Sequence, residues 1–332
     1  MATLKDVAKL ANVDVSTVSR ALNNTSYVHP DTKKKVYKAA EQLGYRPNLI
    51  AKSLRQGRKN VIGVVVPTIN FSVFGGIVQG IEAEASKRGY SVMITNTKDN
   101  PEAEEKCLER MRNGLVDGIV IASTGQNKRL IRDIKSSGIS VIQVIRKQDQ
   151  AIDSVVADYY ASGYEAVRYL AKKGCTRIGF INGSMEIIPY KERYDGYHRA
   201  MKQLGLPEYV TGSAMPKADY LWDGYREAID LIDNVCHLDA IITAVDMQGL
   251  GALRALKEKG RRVPHDVKVI SLTGHAIGEV LETSLTSMEI PTREMGEQAV
   301  RIIIEDIEAG KDAKKNSKHM VFTANLAERE SG

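Results

Sequence analysis

The first residues of the chain place apolar side chains at helical spacing in two short segments. In Leu4–Ala11 the apolar positions are 4, 7, 8 and 11, and in Val15–Leu22 they include 15, 18 and 22. Residues three or four apart share one helix face, so each segment predicts a short amphipathic helix. Asn12 tolerates the left-handed conformation that ends helices, and Asp14 suits the N-cap of the next helix. The pattern therefore predicts a helix-turn-helix unit.

A third helix is predicted for Pro30–Leu43, which carries lysines at positions 33, 34, 35 and 38. Gly44–Asn48 then ends this helix and starts another. Leu49–Arg55 predicts a helix of one or two turns, and a linker follows over residues 56–59. Because so short a helix is unstable alone, we expect it to order only against a partner surface.

After Asn60 the pattern changes to apolar strands that alternate with amphipathic helices. Val61–Ile69 is a nearly continuous apolar run, typical of a strand buried in a parallel sheet. The alternation continues to Ile145 and restarts at Ser154. It predicts an α/β fold of doubly wound parallel sheets, arranged as two lobes with a cleft at the carboxyl ends of their strands. Residues Arg293–Ala309 predict a further amphipathic helix.

The charges are distributed unevenly along the chain. Residues 1–60 contain 12 Lys and Arg against 4 Asp and Glu, which is a net charge of +8. The whole chain of 332 residues carries +6, so the remaining residues sum to −2. A basic head on a nearly neutral body is typical of a nucleic-acid-binding module attached to a second functional unit.

Other features narrow the class of protein. No apolar run approaches the roughly 18 residues of a membrane span. Cys107, Cys175 and Cys236 lie far apart and form neither a metal-ligand spacing nor a disulfide pattern, which favours a cytoplasmic location. The sequence contains no P-loop and no G-x-G-x-x-G, G-x-S-x-G or H-E-x-x-H motif. We therefore expect no catalytic residue, cofactor or metal.

The second predicted helix has the features of a recognition helix in the major groove. Ser16 and Thr17 lie at its exposed start, and Arg20 follows one turn later, where it can contact guanine. Leu54 lies between Lys52 and Arg55 and suits an apolar wedge in the minor groove. The alternative is a charged three-helix bundle with solvated lysines, in which Leu54 docks into the core.

The segments TLKDVAKLANVDVSTVSRALN, YVHPDTKKKV, LGYRPN and AKSL occur in order at the spacing of one known family. The chain resembles the lactose-repressor (LacI/GalR) family of bacterial transcription regulators. The resemblance implies a head over 1–47, a hinge helix and linker over 48–60, and an effector-binding core over 61–332. It divides the core into one lobe over 61–160 and 292–320 and another over 161–289 and 323–332.

The resemblance also implies partners and contact residues. It implies a homodimer on a double-stranded DNA operator, controlled by a small molecule such as a sugar or sugar phosphate, and no membrane. The segment Thr286–Pro291 is expected to be one of the crossovers between lobes. The expected DNA-contact residues are Thr3, Val15, Ser16, Thr17, Arg20, Asn23, Tyr45, Asn48, Ala51, Lys52, Leu54 and Arg55.

The best candidate for the effector site is Arg193, because the family pattern R-x-x-G-Y is present as Arg193, Gly196 and Tyr197. A planar guanidinium suits hydroxyl or carboxylate groups of a ligand. The alternative, without the family match, is a surface arginine paired with Glu192 or Asp195. The other expected effector contacts, which the resemblance and strand ends indicate, are Asn70, Phe74, Arg146, Asp158, Trp222, Asp246 and Thr273.

Two departures from the family pattern affect the expected ligand. The segment Leu272–His275 lacks the Asp that the family usually carries there, and Val245 replaces the Asn that often precedes Asp246. With Arg193, Arg146 and His275 nearby, the sequence predicts a cleft that tolerates an anionic ligand. Trp222 and Tyr220 are placed in a loop, either stacked on a sugar or packed in the core. The alternative function is a sugar-binding or sugar-processing protein with a basic extension.

Overall fold

The computed structural model describes residues 2–23, 26–45, 58–212, 219–274, 276–310 and 316–332. The chain divides into two units, Met1–Lys59 and Asn60–Gly332. The first unit contains three helices: α1 (Leu4–Ala11), α2 (Val15–Asn23) and α3 (Pro30–Gln42). The predicted helix-turn-helix is therefore confirmed, and the predicted third helix ends one residue early.

Local hydrogen bonds and a small core define these three helices. The Thr3 hydroxyl accepts from the Asp6 N–H, and the Asp6 carboxylate accepts from the Thr3 N–H, which forms a capping box. Helix α1 ends at Asn12, whose φ is +53°. Val7, Val18 and Val36, one from each helix, are fully buried. The apolar faces read from the sequence thus meet in one core.

The second unit contains two six-stranded sheets. Lobe 1 is built on the sheet with order β11-β5-β4-β3-β1-β2, in which every pair is parallel. Its strands are β1 (Val61–Val66), β2 (Ser91–Asn96), β3 (Gly118–Ile121), β4 (Ser140–Val144), β5 (Asp153–Ala157) and β11 (His319–Phe322). Its helices are α4 (Ser72–Lys87), α5 (Pro101–Arg112), α6 (Lys128–Ser136) and α11 (Thr292–Ala309).

Lobe 2 repeats this arrangement with the order β12-β10-β9-β8-β6-β7, except that β12 is antiparallel to β10. Its strands are β6 (Ile178–Asn182), β7 (Tyr209–Gly212), β8 (Ala240–Thr243), β9 (Lys268–Ser271), β10 (Thr286–Glu289) and β12 (Asn325–Ala327). Its helices are α7 (Tyr159–Lys172), α8 (Ile188–Leu204), α9 (Tyr220–Asn234) and α10 (Asp246–Glu258), with a short 3₁₀ turn at Ala276–Glu279. The fold class predicted from the sequence, two doubly wound parallel lobes, is confirmed.

The chain passes between the lobes three times: after β5, after β10 and between β11 and β12. The predicted crossover at Thr286–Pro291 needs correction, because Thr286–Glu289 pairs as strand β10 with β9 and β12. Only residues 290–291 connect that strand to α11. The prediction that Tyr220 and Trp222 lie in a loop is also wrong, since both lie in the first turn of α9.

Glycines allow three pairs of helices to pack at close range. Gly163 of α7 faces the carbonyl of Arg193, and Gly196 of α8 faces the carbonyl of Tyr160. A Cβ atom at either glycine would overlap that backbone carbonyl. The same reciprocal contact joins α4 to α11 and α9 to α10, through the pairs Gly80 with Gly296 and Gly224 with Gly251. Helix α8 is therefore held closely against α7, which fixes the position of Arg193.

Candidate ligand-binding cleft and DNA-binding surface

A cavity lies between the two lobes, beside the carboxyl ends of strands from both sheets. This is the edge at which doubly wound folds bind ligands. The space that the centre of a water molecule can occupy in this cavity is about 60 Å³, which exceeds the roughly 10–15 Å³ needed to hold one water. Lobe 1 contributes Phe71, Ser72, Val73, Phe74, Ile145 and Arg146, and lobe 2 contributes Tyr159, Ile187, Pro189, Tyr190, Arg193, Val245, Asp246, Met247 and Thr273.

Arg193 lines this cavity as a buried cation without a carboxylate partner in the described ranges. It is 3% exposed, and its guanidinium carbon lies 4.8 Å from the ring centre of Tyr159 and 5.9 Å from that of Tyr190. Its Nη2 donates to the Leu272 carbonyl at 3.4 Å, whereas its Nε has no partner in the part of the chain that the structure describes. Burial lowers the pKa of Arg193, although a guanidinium remains charged at neutral pH. Such a group is a strong binding site for ligand oxygens.

The three residues of the R-x-x-G-Y pattern have different roles. Gly196 permits the close approach of α8 to α7, as described above. Tyr197 is fully buried, and its hydroxyl donates to the Ile178 carbonyl at 2.8 Å and accepts from the Tyr209 N–H at 3.1 Å. Only Arg193 reaches the cavity. The glycine and tyrosine therefore hold the helix in place, and the arginine presents its charge to the cavity.

Asp246 is the carboxylate of the cavity and joins both lobes. Its Oδ1 accepts from the Ser271 hydroxyl at 2.7 Å and from the Gly274 N–H at 3.0 Å. Its Oδ2 accepts from the Ser72 hydroxyl at 3.1 Å, which is a hydrogen bond from lobe 1 to lobe 2. The Thr273 hydroxyl accepts from the Asp246 N–H at 3.1 Å. These contacts fix the orientation of the carboxylate.

Arg146 differs from Arg193 because a carboxylate already occupies its guanidinium. Its Nη1 donates to Asp99 Oδ1 at 2.5 Å and its Nη2 to Asp99 Oδ2 at 3.0 Å. The Arg146 side chain is buried, with 6% of its surface exposed, and the Asp99 side chain is largely covered, with 13% exposed. Arg146 follows a γ-turn in which its N–H donates to the Val144 carbonyl and Ile145 has a φ of +65°. A β-branched residue in this conformation is strained, and the turn directs the next residue into the cavity.

Aromatic rings from both lobes form the apolar part of the site. Phe71 of lobe 1 packs edge-on against Tyr220 of lobe 2, with 4.7 Å between ring centres. The Tyr190 hydroxyl donates to that of Tyr220 at 3.0 Å. Burial raises the pKa of Tyr159. Its hydroxyl has no hydrogen-bond partner among the residues that the structure describes. The site therefore combines ring faces with a neutral phenol and a free guanidinium edge.

The structure places five of the eight predicted effector residues on the cavity: Phe74, Arg146, Arg193, Asp246 and Thr273. The other three lie elsewhere. Asn70 is exposed, and Asp158 caps α7 by accepting from the Ala161 N–H at 2.8 Å. Trp222 is 53% exposed and packs edge-on against Tyr225, so it does not line this cavity. His275 lies outside the described residues.

Sequence reasoning missed several side chains that complete the site. Tyr190 precedes Arg193 by one helical turn, which is a signal that the sequence contains. Tyr159 begins the helix after β5, and Ser72 begins the helix after β1. Both positions follow the carboxyl end of a strand, where a search for ligand contacts starts. Asp99 carries no local signal for its pairing with Arg146, which is 47 positions away.

In the first unit the structure brings together the side chains of two predicted DNA-contact residues. Arg20 Nη2 donates to the Ser16 hydroxyl and its Nε to the Ser16 carbonyl, each at 3.2 Å. Both residues are exposed, as is Val15, while Thr17 is partly buried. Thr3 belongs to the capping box of α1. Tyr45 packs against the head core. The start of α2 thus offers hydroxyl and guanidinium groups on one surface.

The remaining predicted DNA contacts cannot be placed on this surface. Asn48, Ala51, Lys52, Leu54 and Arg55 lie outside the described residues, as does most of the predicted hinge. Asn23 ends α2, and only its backbone is described. Among the residues for which coordinates are described, no three His, Cys, Asp or Glu side chains are grouped as a metal site. None of the described helices is long and apolar enough to cross a membrane.

Comparison with known proteins gives the same division of the chain. Residues 59–327 match the model of periplasmic binding proteins and sugar binding domains of the LacI family. Residues 3–48 match the model of bacterial regulatory proteins of the lacI family. Catabolite control protein A of Priestia megaterium is 31% identical over 91% of both chains.

Solved structures extend this similarity. The transcriptional regulator CelR in complex with cellobiose is 28% identical and superposes with a TM-score of 0.74 over all of both chains. The Lac repressor bound to ONPG, at 22% identity, superposes with a TM-score of 0.87 over 100% of this chain and 99% of that one, which shows the shared fold. With a matching head, a matching core and relatives that are transcription regulators, this chain is a DNA-binding transcriptional regulator that belongs to the LacI family.

Proposed function

We propose that this regulator is a repressor of a carbohydrate-related operon and that a neutral polyhydroxylated molecule of the size of a sugar controls it from the cavity between the lobes. The proposal depends on the environment of Arg193. This buried cation has an unpartnered Nε in the described residues and lies between the rings of Tyr159 and Tyr190. Sugar hydroxyls can accept from the guanidinium, and the apolar faces of a sugar ring can pack against the aromatic side chains.

The charge balance of the cavity supports a neutral ligand rather than the anionic one predicted from the sequence. That prediction depended on two available arginines, and Asp99 already neutralises Arg146. Arg193 is then balanced by Asp246, whose carboxylate can accept a ligand hydroxyl beside its protein donors.

A thermal-shift panel of sugars, sugar phosphates and nucleobases tests this part of the proposal. A ligand that binds the folded core raises its melting temperature, by an amount that grows with the logarithm of ligand concentration over Kd. We expect a neutral sugar to stabilise the protein and Arg193→Gln to abolish that stabilisation. Arg254→Gln is the matched control, because Arg254 is an exposed arginine paired with Glu258 on another face of lobe 2. Stabilisation that survives Arg193→Gln would contradict the proposed site.

We propose that the head binds a pseudo-palindromic operator as part of a homodimer, in the cytoplasm where such DNA is found. Two-fold symmetric proteins match two-fold sites, and a single head binds weakly. The exposed Ser16 in the first turn of α2 and Arg20 one turn later support base contacts. Selection from random DNA followed by gel-shift titration against salt tests this. We expect a preferred palindrome and a steep salt dependence, and the absence of any sequence preference would contradict it.

Two substitutions separate base reading from phosphate binding. Arg20→Ala is expected to relax specificity at one base position by about 1–3 kcal/mol. Lys52→Ala is expected to weaken binding to all sequences alike. Adding the sugar identified in the panel to the same gel shift then decides whether the ligand releases or promotes DNA binding. In either case the proposed switch is a ligand-dependent change in the closure of the lobes, which Ser72 and Asp246 join.

We infer that the cavity binds its ligand without catalysing a reaction, in contrast to the alternative of a sugar-processing enzyme. Its carboxylate, Asp246, is held by three hydrogen bonds from Ser72, Ser271 and Gly274. Such an acceptor is arranged to orient a ligand rather than to move a proton between substrate and solvent. Incubation with the sugar found to bind, followed by mass spectrometry, is expected to return that sugar unchanged.

A further inference from the structure

We infer that Asp99 limits the binding of anions on the lobe 1 side of the cavity, because it occupies the guanidinium of Arg146, which would otherwise be free to bind a phosphate or carboxylate there. This inference rests on the proposed function in assuming that ligands enter the cavity between the lobes. Asp99 itself does not line that cavity; it acts through Arg146, which does. It is therefore a positioning residue for charge and not a ligand contact.

The geometry of the pair supports the inference. Arg146 and Asp99 form two parallel hydrogen bonds, 2.5 and 3.0 Å long, between a guanidinium and a carboxylate. This is the same bidentate arrangement by which an arginine recognises a phosphate. A ligand phosphate would have to displace Asp99 or find a donor elsewhere in the cavity. The pair therefore keeps a phosphate-binding group in place and prevents it from binding one.

The surroundings of Arg146 and Asp99 make their ion pair costly to break. Only 6% of the Arg146 side chain and 13% of the Asp99 side chain are exposed. Against the opposing effect of burial, Tyr190 and Tyr220 of lobe 2 are near enough to raise the pKa of Arg146 electrostatically. Removing one partner from a buried pair leaves an uncompensated charge, which is costly and attracts a new counter-ion. Asp99 has a φ of +53° in the turn after β2, and Arg146 follows the strained turn at Ile145. Two backbone segments of unusual conformation thus converge on this one contact.

The inference predicts that deleting the carboxylate creates an anion site. In Asp99→Asn, inorganic phosphate is expected to bind to the released Arg146 and raise the melting temperature saturably. The gain in phosphate affinity over wild type is expected to be roughly ten- to a hundredfold, which is the range for one or two charge-assisted hydrogen bonds. Wild type is expected to show no phosphate stabilisation that depends on Arg146, so its response to phosphate is expected to be the same as that of Arg146→Gln at equal ionic strength.

The matched control is Asp149→Asn, since Asp149 is a buried partner of another lobe 1 arginine, Arg132, at 2.5 Å. That arginine is 61% exposed and lies outside the cavity, so its release is not expected to produce saturable phosphate binding. In the double variant Asp99→Asn/Arg146→Gln, the phosphate effect is expected to disappear. The same four proteins, titrated with a neutral sugar and its phosphate, report the ratio of the two affinities.

Two outcomes would overturn the inference. One is saturable phosphate binding by wild type that Arg146→Gln removes, which can be measured even if Asp99→Asn does not fold. The other is a folded Asp99→Asn protein that gains no phosphate affinity. The proposed function fails separately, when no sugar stabilises wild type in an Arg193-dependent way. Because inorganic phosphate is the probe, these measurements do not require that the natural ligand be known.

Discussion

The two lobes of the core have the same strand order, yet they present their arginines to the cavity in opposite states. Lobe 1 offers Arg146 with both terminal nitrogens bonded to Asp99. Lobe 2 offers Arg193 between two aromatic rings, without an ion pair in the described residues. The shared fold brings a cation to each side of the cleft, and the neighbouring residues decide whether that cation is available. Position is thus a property of the architecture, whereas binding capacity is local chemistry.

Replacing each arginine with methionine is expected to give the largest difference between the two lobes. Arg146→Met leaves the Asp99 carboxylate buried without its partner, so the free energy of unfolding is expected to fall by about 3 kcal/mol. Arg193→Met removes a buried cation with an unpartnered nitrogen, so stability is expected to stay within about 1 kcal/mol of wild type or to rise, while ligand affinity falls about a hundredfold. Urea unfolding and ligand titration measure the two effects.

Arg132→Met serves as the control for the first variant, because Arg132 is largely exposed and pairs with Asp149. Its effect on the free energy of unfolding is expected to be at most about 1 kcal/mol. Equal destabilisation by Arg132→Met and Arg146→Met would show that burial of the Asp99 pair is unimportant.

Glycines at the helix contacts test whether both lobes depend on the same packing. Gly163→Ala in lobe 2 and Gly80→Ala in lobe 1 each force a Cβ onto a backbone carbonyl, so each is expected to lower the free energy of unfolding by about 2–3 kcal/mol. Only Gly163→Ala moves the backbone of Arg193, so only that variant is expected to weaken ligand binding as well. Calorimetry and ligand titration at a temperature where both variants are folded distinguish these effects.

Gly75→Ala is the matched substitution for the glycine series. Gly75 lies in α4 like Gly80, but the nearest atom to its Cβ position is 3.6 Å away. Replacing a helical glycine with alanine at such a site is expected to be neutral or stabilising by up to about 1 kcal/mol. Destabilisation as large as that of Gly80→Ala would mean that the close helix contact is not the cause.

The smallest expected difference between the lobes concerns pH. Hydrogen bonding from Arg301 lowers the pKa of Glu84 in lobe 1 below its ordinary value near 4.5, against the opposing effect of burial. Burial, followed by the charge of Asp158, raises the pKa of Glu192 in lobe 2. A carboxyl group whose pKa is lowered by folding stabilises the fold at pH values above its unfolded-state pKa, and this stabilisation is lost as the pH falls. A carboxyl group whose pKa is raised by folding destabilises the fold as the pH rises above its unfolded-state pKa.

Glu84→Gln is therefore expected to lower the free energy of unfolding at pH 7, and Glu192→Gln is expected to raise it, each by no more than about 1 kcal/mol. The Glu84→Gln difference from wild type is expected to shrink as the pH falls below 4.5, whereas the Glu192→Gln difference is expected to shrink earlier, as the pH falls toward 4.5 from above. Urea titrations between pH 3 and pH 7 check the signs, within roughly the range where carboxyl groups titrate. Shifts of the same sign for both variants would contradict the assignment.

Much of the fold was predicted from the local pattern of apolar and polar residues, and the elements that were missed have identifiable causes. The long apolar and amphipathic segments, such as β1 and α11, gave clear periodicity because their burial extends over many residues. Helix α9 was missed because its first turn carries Tyr220 and Trp222, which suggested an aromatic loop. Strand β7 has four residues of alternating burial, and β12 has only three residues, which are too few to define a period.

The sequence by itself determined most of the helices and strands, the R-x-x-G-Y pattern and the basic head, because neighbouring residues encode caps, periodicity and charge. Tertiary structure decided which polar groups meet. Ser72 bonds to Asp246 across 174 positions, and Asp99 bonds to Arg146 across 47. No local pattern specifies such a contact, since it depends on where two strand ends converge after folding. For that reason the sequence predicted two available arginines in the cleft, and the structure contains one.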